Sequence, residues 1–444
     1  MSTVEAPYPA RAVAWYATLV LAFMYWLSIL DRLIISLLVG PIKRDLHITD
    51  TQFGLLHGLA FAITFCLFGL FAGALADRFA RRWVIFAGVG IWSLATAVCG
   101  LTQTYWQLLM ARVGVGVGEA ALQPSATSML TDLFPPDRLT TALAVYGIGS
   151  IAGSGCAFLI GGVVVDLVSK TQTITLPLFG DIAAWKGVFL VIGIPGAFAS
   201  LLIFTLPEPI RRGMTLLERR RRNWAATYLE LMKFIGSRPK FFAYHYTAFA
   251  FATAILTGAG VWYPAHMGRS FGWSSSKIGF SLGIMLAVSG LASQLICGRF
   301  VDAMYRHGYR DAQFRWFSGC LLAATPLAVI ATTSSSPWIF LFFQGGFLLL
   351  ISSLGACAAA SLNLVTPNSL RGSGIAFYAA TSGLIGSAGG PVVVALVSDK
   401  VFHSESAIGL SIAVVTAVCC PVAAVLLALG CRPMREAMNA QTAS

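Results

Sequence analysis

Charge is what this chain has least of. Its 444 residues include only 18 Asp and Glu and 30 Lys and Arg, so charged residues make up 11% against 57% hydrophobic ones. A surface so poor in charge cannot be kept in water, which excludes a soluble enzyme and a disordered chain and leaves an integral membrane protein. A phosphate-cradling Gly-Lys-Ser loop is also missing, which argues against ATP-driven transport by this chain alone. The nine cysteines all fall in or beside apolar runs without paired metal-ligand spacing. They read as small packing residues, with no disulfide framework, metal site or bound cofactor expected. Residues 1 to 13 lack the apolar core of a cleavable signal peptide, and the run that follows is too long for one.

What the chain does have is long apolar runs. Twelve, each of about 20 residues or more, are bounded by charge, Pro or Gly: 14–39, 51–76, 83–104, 106–130, 139–167, 186–206, 241–266, 275–301, 314–333, 337–362, 372–398 and 405–430. They are continuous, whereas a membrane β-barrel needs alternating segments of about ten residues, so helices are expected. With the N-terminus inside, nineteen Lys and Arg fall in the inner connections, nine of them in 207–240, against seven in the outer ones. Basic residues are retained on the cytoplasmic side, so both termini are expected there. The net charge of +12 is then a topology signal, and no nucleic-acid partner is implied.

Internal repetition organises these runs. Gly73, Asp77, Arg78 and Arg81 close the second run, and Gly298, Asp302 and Arg306 close the eighth; Gly73, Asp77 and Arg81 recur 225 positions later, as does Gly54 at Gly279. A weaker echo pairs Gly153, Ser154 and Asp166 with Gly386, Ser387 and Asp399, offset by 233. The fold class expected is all-α, with twelve membrane helices in two pseudo-symmetric six-helix bundles. Their bounds are 1–206 and 241–444, joined by a basic segment at 207–240. In that segment Leu217, Trp224, Tyr228, Leu231 and Ile235 recur at helical spacing opposite Arg219 to Arg222. This describes either an amphipathic helix on the inner leaflet or a flexible basic tether.

The whole pattern resembles the major facilitator superfamily. Residues 73–82 are similar to its loop motif Gly-x-x-x-Asp-Arg-x-Gly-Arg-Arg, departing from it at Ala80 where the family has Gly. The resemblance implies a cytoplasmic gate of Asp77, Arg78, Arg81, Asp302 and Arg306, in which a helix-end acid pairs with basic groups and latches one access state. Plain topology anchoring is the alternative reading of these residues.

Four charges inside apolar runs carry most of the functional argument: Asp31 and Arg32 in the first, Arg112 and Glu119 in the fourth. Charges are costly in hydrocarbon and persist where they face a polar pathway or each other. Arg112 and Glu119 are seven apart, two turns, and share a helix face. At about 1.5 Å per residue, Asp31, Arg32 and Arg112 lie at one depth and Glu119 close to the midplane. Neighbours on a helix point about 100° apart, so Asp31 and Arg32 cannot face one partner squarely. Gly114, Gly116 and Gly118 between the fourth-run charges allow close helix approach and local distortion.

Arg112 to Ala120 is also similar to the superfamily's Arg-x-x-x-Gly-x-Gly motif, whose Arg is associated with proton coupling. Asp-Arg in the first run together with Gly-Glu-Ala in the fourth looks most like the spinster family, as do residues 48–56 and 118–124. The likeness implies proton-coupled transport of an anionic amphiphile, lysophospholipid or sphingoid phosphate, by alternating access. Arg32 and Glu119 would then be the switching pair and Asp31 a proton-linked or substrate-linked carboxylate; a permanent helix-to-helix salt bridge is the alternative. Organic-anion porters share parts of these signals, so a small organic anion or drug remains a second substrate class. A transporter-like receptor or scaffold is a third reading, disfavoured because a scaffold has no use for an intramembrane carboxylate.

Tyr246, Gln294, Gln344, Asn363 and Tyr378 are the polar residues of the second half that could line a cavity, or equally make helix-to-helix bonds. His57, His245 and His266 lie toward run ends and are expected at the membrane interfaces. The partners expected are membrane lipids, protons and the amphiphilic substrate. The protein is expected as a monomer in a bacterial inner membrane.

Overall fold

In hydrocarbon the backbone must satisfy its own polar groups, which a helix does within one segment. The computed structural model describes residues 8–169, 173–176, 180–210, 224–367 and 370–442, and these are almost entirely helical. The first part contains α1 (Arg11–Ile34), α2 (Val39–Leu46), α3 (Asp50–Gly54), α4 (Ala60–Arg78), α5 (Arg81–Cys99), α6 (Tyr105–Glu119), α7 (Leu122–Leu133) and α8 (Pro136–Ser169). A short antiparallel hairpin follows, β1 (Thr173–Leu176) and β2 (Gly180–Ala183), and then α9 (Ala184–Ala199). The second part contains α10 (Trp224–Ser237), α11 (Pro239–Phe271), α12 (Ser275–Arg306), α13 (Ala312–Thr333), α14 (Pro337–Ile351), α15 (Leu354–Val365), α16 (Arg371–Ser382), α17 (Ala388–Leu396) and α18 (Ile408–Thr442).

Eleven helical stretches among the described residues are long and apolar enough to cross a membrane. The expected run at 106–130, which forms the two helices α6 and α7, is not one of them, since Arg112 and Glu119 stand in it among small and polar residues. Several helices outlast their apolar runs: α11 continues to Phe271, α12 to Arg306 and α18 to Thr442. The short β-hairpin is a small departure within an otherwise helical architecture. Its Thr and Ile residues favour extended backbone, and Gly180 turns it with φ +69°.

Local sequence explains where these helices begin and stop. Thr104 and Gln107 form a capping box that opens α6, and Thr49 and Gln52 do the same for α3. Pro337 at the first turn opens α14, where its missing N–H costs nothing. Between α6 and α7 the helix breaks at Ala120 and Ala121. Pro124 stands four residues after Ala120, so it cannot donate to the Ala120 carbonyl and its ring crowds it.

The chain divides into two compact units, Met1–His47 with Ile63–Arg222 and Ile48–Ala62 with Asn223–Ser444. The start of the second helical stretch therefore packs with the second unit. There Arg269 grips Asp50 through two bonds of 2.8 Å, and Thr51 donates its N–H and hydroxyl to Asp399. In the first unit α1 packs along α8, and α5 against α6 and α9. In the second, α18 packs along α11 and α13.

The structure makes the internal repeat exact at one place. α6 and α14 are both fifteen residues long, α7 and α15 both twelve, and all four bounds are displaced by 232 residues. The break at Ala120–Ala121 thus returns at Ser352–Ser353. Of the basic segment, residues 211–223, including Leu217 and Arg219 to Arg222, lie outside the described residues. Trp224–Ser237 is the helix α10, and its Leu231 is fully buried.

Candidate functional site

Two ion pairs join α1 to α6 inside the first unit. Arg32 donates from Nη2 to Glu119 Oε2 at 2.5 Å and from Nε to the same oxygen at 3.2 Å. Ser28, one turn before Arg32 on α1, adds its hydroxyl to Oε2 at 2.8 Å. Glu119 Oε1 is buried with no hydrogen-bond partner among the described residues. The pair is lopsided in exposure: the Arg32 side chain is 28% open and that of Glu119 fully enclosed. Arg32 also lies over the Phe65 ring, 4.9 Å from its centroid. A guanidinium with an open edge can be claimed by another anion, whereas Glu119 has no open face of its own.

The second pair is dry on both sides. Arg112 Nη1 lies 4.0 Å from Asp31 Oδ1, with both side chains buried, and Thr96 of α5 donates its hydroxyl to Asp31 Oδ2 at 2.5 Å. Asp31 and Arg32, adjacent in sequence, thus turn to different partners, as the 100° step of a helix requires. Close packing places the four groups. A Cβ on Gly118 would stand 2.5 Å from Trp92 N and 2.6 Å from Gly88 O, so only glycine lets α6 come this near α5.

The 232-residue repeat gives each pair a counterpart to compare. Asp31 and Arg112 correspond to Tyr263 and Gln344, and the Gln344 amide donates to the Tyr263 hydroxyl. One position in the fold is therefore a helix-to-helix polar tie in both units, charged in one and neutral in the other. Arg32 and Glu119 correspond to Pro264 and Ile351, which can form no such bond. The open ion pair is peculiar to the first unit.

The expected gate residues are not placed alike. Arg81 is fully buried inside its own unit, bonded to Asp132, to Glu208 at 2.9 Å, to Ser128 and to the Pro209 carbonyl. Arg81 thereby ties the start of α5 to the end of α7 and the chain after α9. The Asp77 side chain lies outside the described residues, and Arg78 is exposed. Asp302 and Arg306 are exposed at the end of α12, where Arg306 Nε donates to the Asp302 carbonyl at 3.4 Å.

The polar residues of the second unit also divide. Gln344 is fully buried, and Gln294 donates to the Ser352 carbonyl at 2.9 Å. Asn363 is half-buried, and its carbonyl accepts from Arg371 at 3.1 Å. Tyr246 and Tyr378 stack with centroids 6.1 Å apart. His57, His245 and His266 are buried, each against at least one aromatic ring. All nine cysteines are free thiols, and no cluster of three metal-ligating side chains occurs among the described residues. Ser28, Thr96, Asp132, Glu208 and Tyr263 were not anticipated. Ser28 could have been, from its four-residue spacing to Arg32, and Tyr263 from its 232-residue displacement from Asp31.

Comparison with known proteins fits this arrangement. The model of the Major Facilitator Superfamily matches residues 21–391. An MFS-type efflux pump of Mycolicibacterium smegmatis is 28% identical over 396 residues, 87% of this chain and 85% of that protein. Protein spinster of Drosophila melanogaster is 25% identical over 405 residues, 87% of this chain but 62% of the longer fly protein. Among solved structures, a bacterial homologue of the human lysosomal transporter Spinster superposes with a TM-score of 0.78. It shares 22% identity, and the match covers 97% of this chain and 98% of that one. A multi-pass membrane transporter of spinster-like character, and not an enzyme, this chain belongs to the Major Facilitator Superfamily.

Proposed function

We propose that the protein is a proton-coupled secondary transporter of an amphiphile with an anionic headgroup, a lysophospholipid or sphingoid phosphate, working by alternating access. The observation that carries the reading is the lopsided Arg32–Glu119 pair. A substrate anion arriving at the open edge of Arg32 competes with Glu119, and Glu119, once released into a dry site, takes up a proton. Proton gradient and substrate thereby exchange places on one guanidinium, with no bound cofactor needed. Asp31, held by Thr96 and Arg112, keeps α1 and α6 in register and tunes the neighbouring pair. Arg112 is the positioning member, since its counterpart Gln344 serves with no charge.

Twelve membrane helices complete the reading, with α6 and α7 together as the fourth and both termini in the cytoplasm of a bacterial inner membrane. The partners are membrane lipids, protons and the substrate, and the working unit is a monomer. The likeness to an efflux pump favours a second reading, a small organic anion or drug as substrate.

Uptake into proteoliposomes with and without an imposed pH gradient tests the proposal. Gradient-driven uptake of a lysophospholipid by the wild type, lost in Glu119→Gln, is the expected result. Full gradient-driven uptake by Glu119→Gln would overturn it, and uptake of small anions alone would move the substrate to the second class.

A further inference from the structure

The break between α14 and α15 is held from α12 on both sides. Before it, Gln294 donates its amide to the Ser352 carbonyl at 2.9 Å. After it, Cys297, three residues along the same face of α12, brings its Sγ to 3.6 Å from Cys357 Sγ. Cys357 closes the first turn of α15, its N–H bonding the Ser353 carbonyl at 3.1 Å. Both thiols are buried, so bulky reagents are kept from them.

We propose that Cys297 and Cys357 form an oxidisable pair, and that a hydroperoxide in the membrane converts it to a disulfide that fixes the broken helix. The chemistry needs no further reagent. One thiol attacks the peroxide oxygen, splitting the O–O bond to give a sulfenic acid and an alcohol. The second thiol then displaces the sulfenic oxygen, which leaves as water with the remaining proton. Two thiols are oxidised, one peroxide is reduced, and the S–S bond that forms is about 2.05 Å long. The sulfurs must close by about 1.5 Å to reach that length, a shift within reach of rotation about the two Cα–Cβ bonds. Enclosure of both sulfurs makes the reaction slow and leaves it to small oxidants. Once formed, the bond adds a covalent tie from α12 to α15 beyond the break. Bending at Ser352–Ser353 then has to drag α12 with it.

The test uses the full chain in lipid nanodiscs, treated with tert-butyl hydroperoxide. Peptide mapping by mass spectrometry without reduction should find Cys297 linked to Cys357 with the loss of two hydrogens. Hydrogen exchange of the segment 348–358 should slow by about tenfold, since locally opening the break becomes harder, and a phosphine reductant should restore it. Cys297→Ser and Cys357→Ser should show neither change, while Cys320→Ser should show both. The wild-type reversal alone decides the matter if the serine variants fail to fold. Treatment that leaves the two peptides unlinked, links either to Cys320 instead, or links them without slowing exchange at 348–358 would overturn the proposal.

Discussion

Replacing Glu119 by Gln should tighten the protein's grip on an anionic ligand while abolishing its sensitivity to pH. In the wild type the ligand must first win Arg32 from Glu119, which holds it through Nη2 at 2.5 Å and Nε at 3.2 Å. Unit charges about 4 Å apart attract by about 4 kcal/mol at an effective dielectric constant of about 20. The Arg32 side chain is 28% exposed, which screens the pair, and roughly half that figure is a fair allowance. The amide keeps an acceptor for Ser28 and Arg32 but removes the charge, so about 2 kcal/mol of competition disappears, or about 30-fold in affinity. Titrating purified protein with an anionic lysophospholipid by calorimetry at about pH 5.5 and about pH 8 reads both effects. On the proposed mechanism, in which a proton on Glu119 releases Arg32, wild-type binding should strengthen toward acid, whereas the variant should bind tightly at both values. A Glu119→Gln protein with the wild-type pH dependence, or one that binds more weakly, would refute the competition outright.

Removing the Thr96 hydroxyl in Thr96→Val should cost about 1–3 kcal/mol, because a buried carboxylate loses a donor; an unchanged melting temperature would contradict this. Gly118→Ala should destabilise by about 1–3 kcal/mol through overpacking against Trp92 and Gly88. Gly114→Ala, which meets only the Ala95 side chain at 3.1 Å, should cost less than about 1 kcal/mol, and detergent melts that rank the two in reverse would sink the packing argument. Arg81→Ala removes the buried guanidinium that Asp132 and Glu208 share and should lower stability by about 3–5 kcal/mol. By contrast, exposed Arg78→Ala should change it by about 0.5 kcal/mol or less. In the second unit Asp50→Asn should weaken the hold of Arg269 on α3 by about 2–3 kcal/mol, seen as faster hydrogen exchange at residues 48–56; exchange equal to wild type would count against it.

The apolar runs made the helices readable, since nothing but a helix satisfies so long a backbone in lipid. Depth counting on two helices was enough to bring Asp31, Arg32, Arg112 and Glu119 together, because rise per residue is nearly constant. It could not divide them into pairs. That division depends on rotation about the helix axes and on Ser28 and Thr96, polar residues too common in membrane helices to stand out. The partners of Arg81 were hidden for a different reason. Its acids Asp132 and Glu208 lie 51 and 127 residues away, and only the tertiary fold shows that they converge on it. Gln344 reads as a cavity residue until Tyr263 is set beside it. The hairpin is too short to leave a periodic trace, and the break at Ser352–Ser353 carries no proline to announce it. The repeat held that information, but at an offset of 232, beside the more visible 225 and 233.

The counterpart positions Pro264 and Ile351 have an electrical consequence. With Arg32 and Glu119 joined, the site is neutral and the resting membrane voltage has no purchase on it. A proton on Glu119 leaves Arg32 as one uncompensated elementary charge, and no mirrored charge in the second unit offsets it. A field of 100 mV acts on such a charge with up to about 2.3 kcal/mol over the full membrane thickness. An anionic headgroup on Arg32 cancels it again. On the proposed mechanism, the voltage across the membrane therefore bears on the protonated, substrate-free protein and hardly on the loaded one.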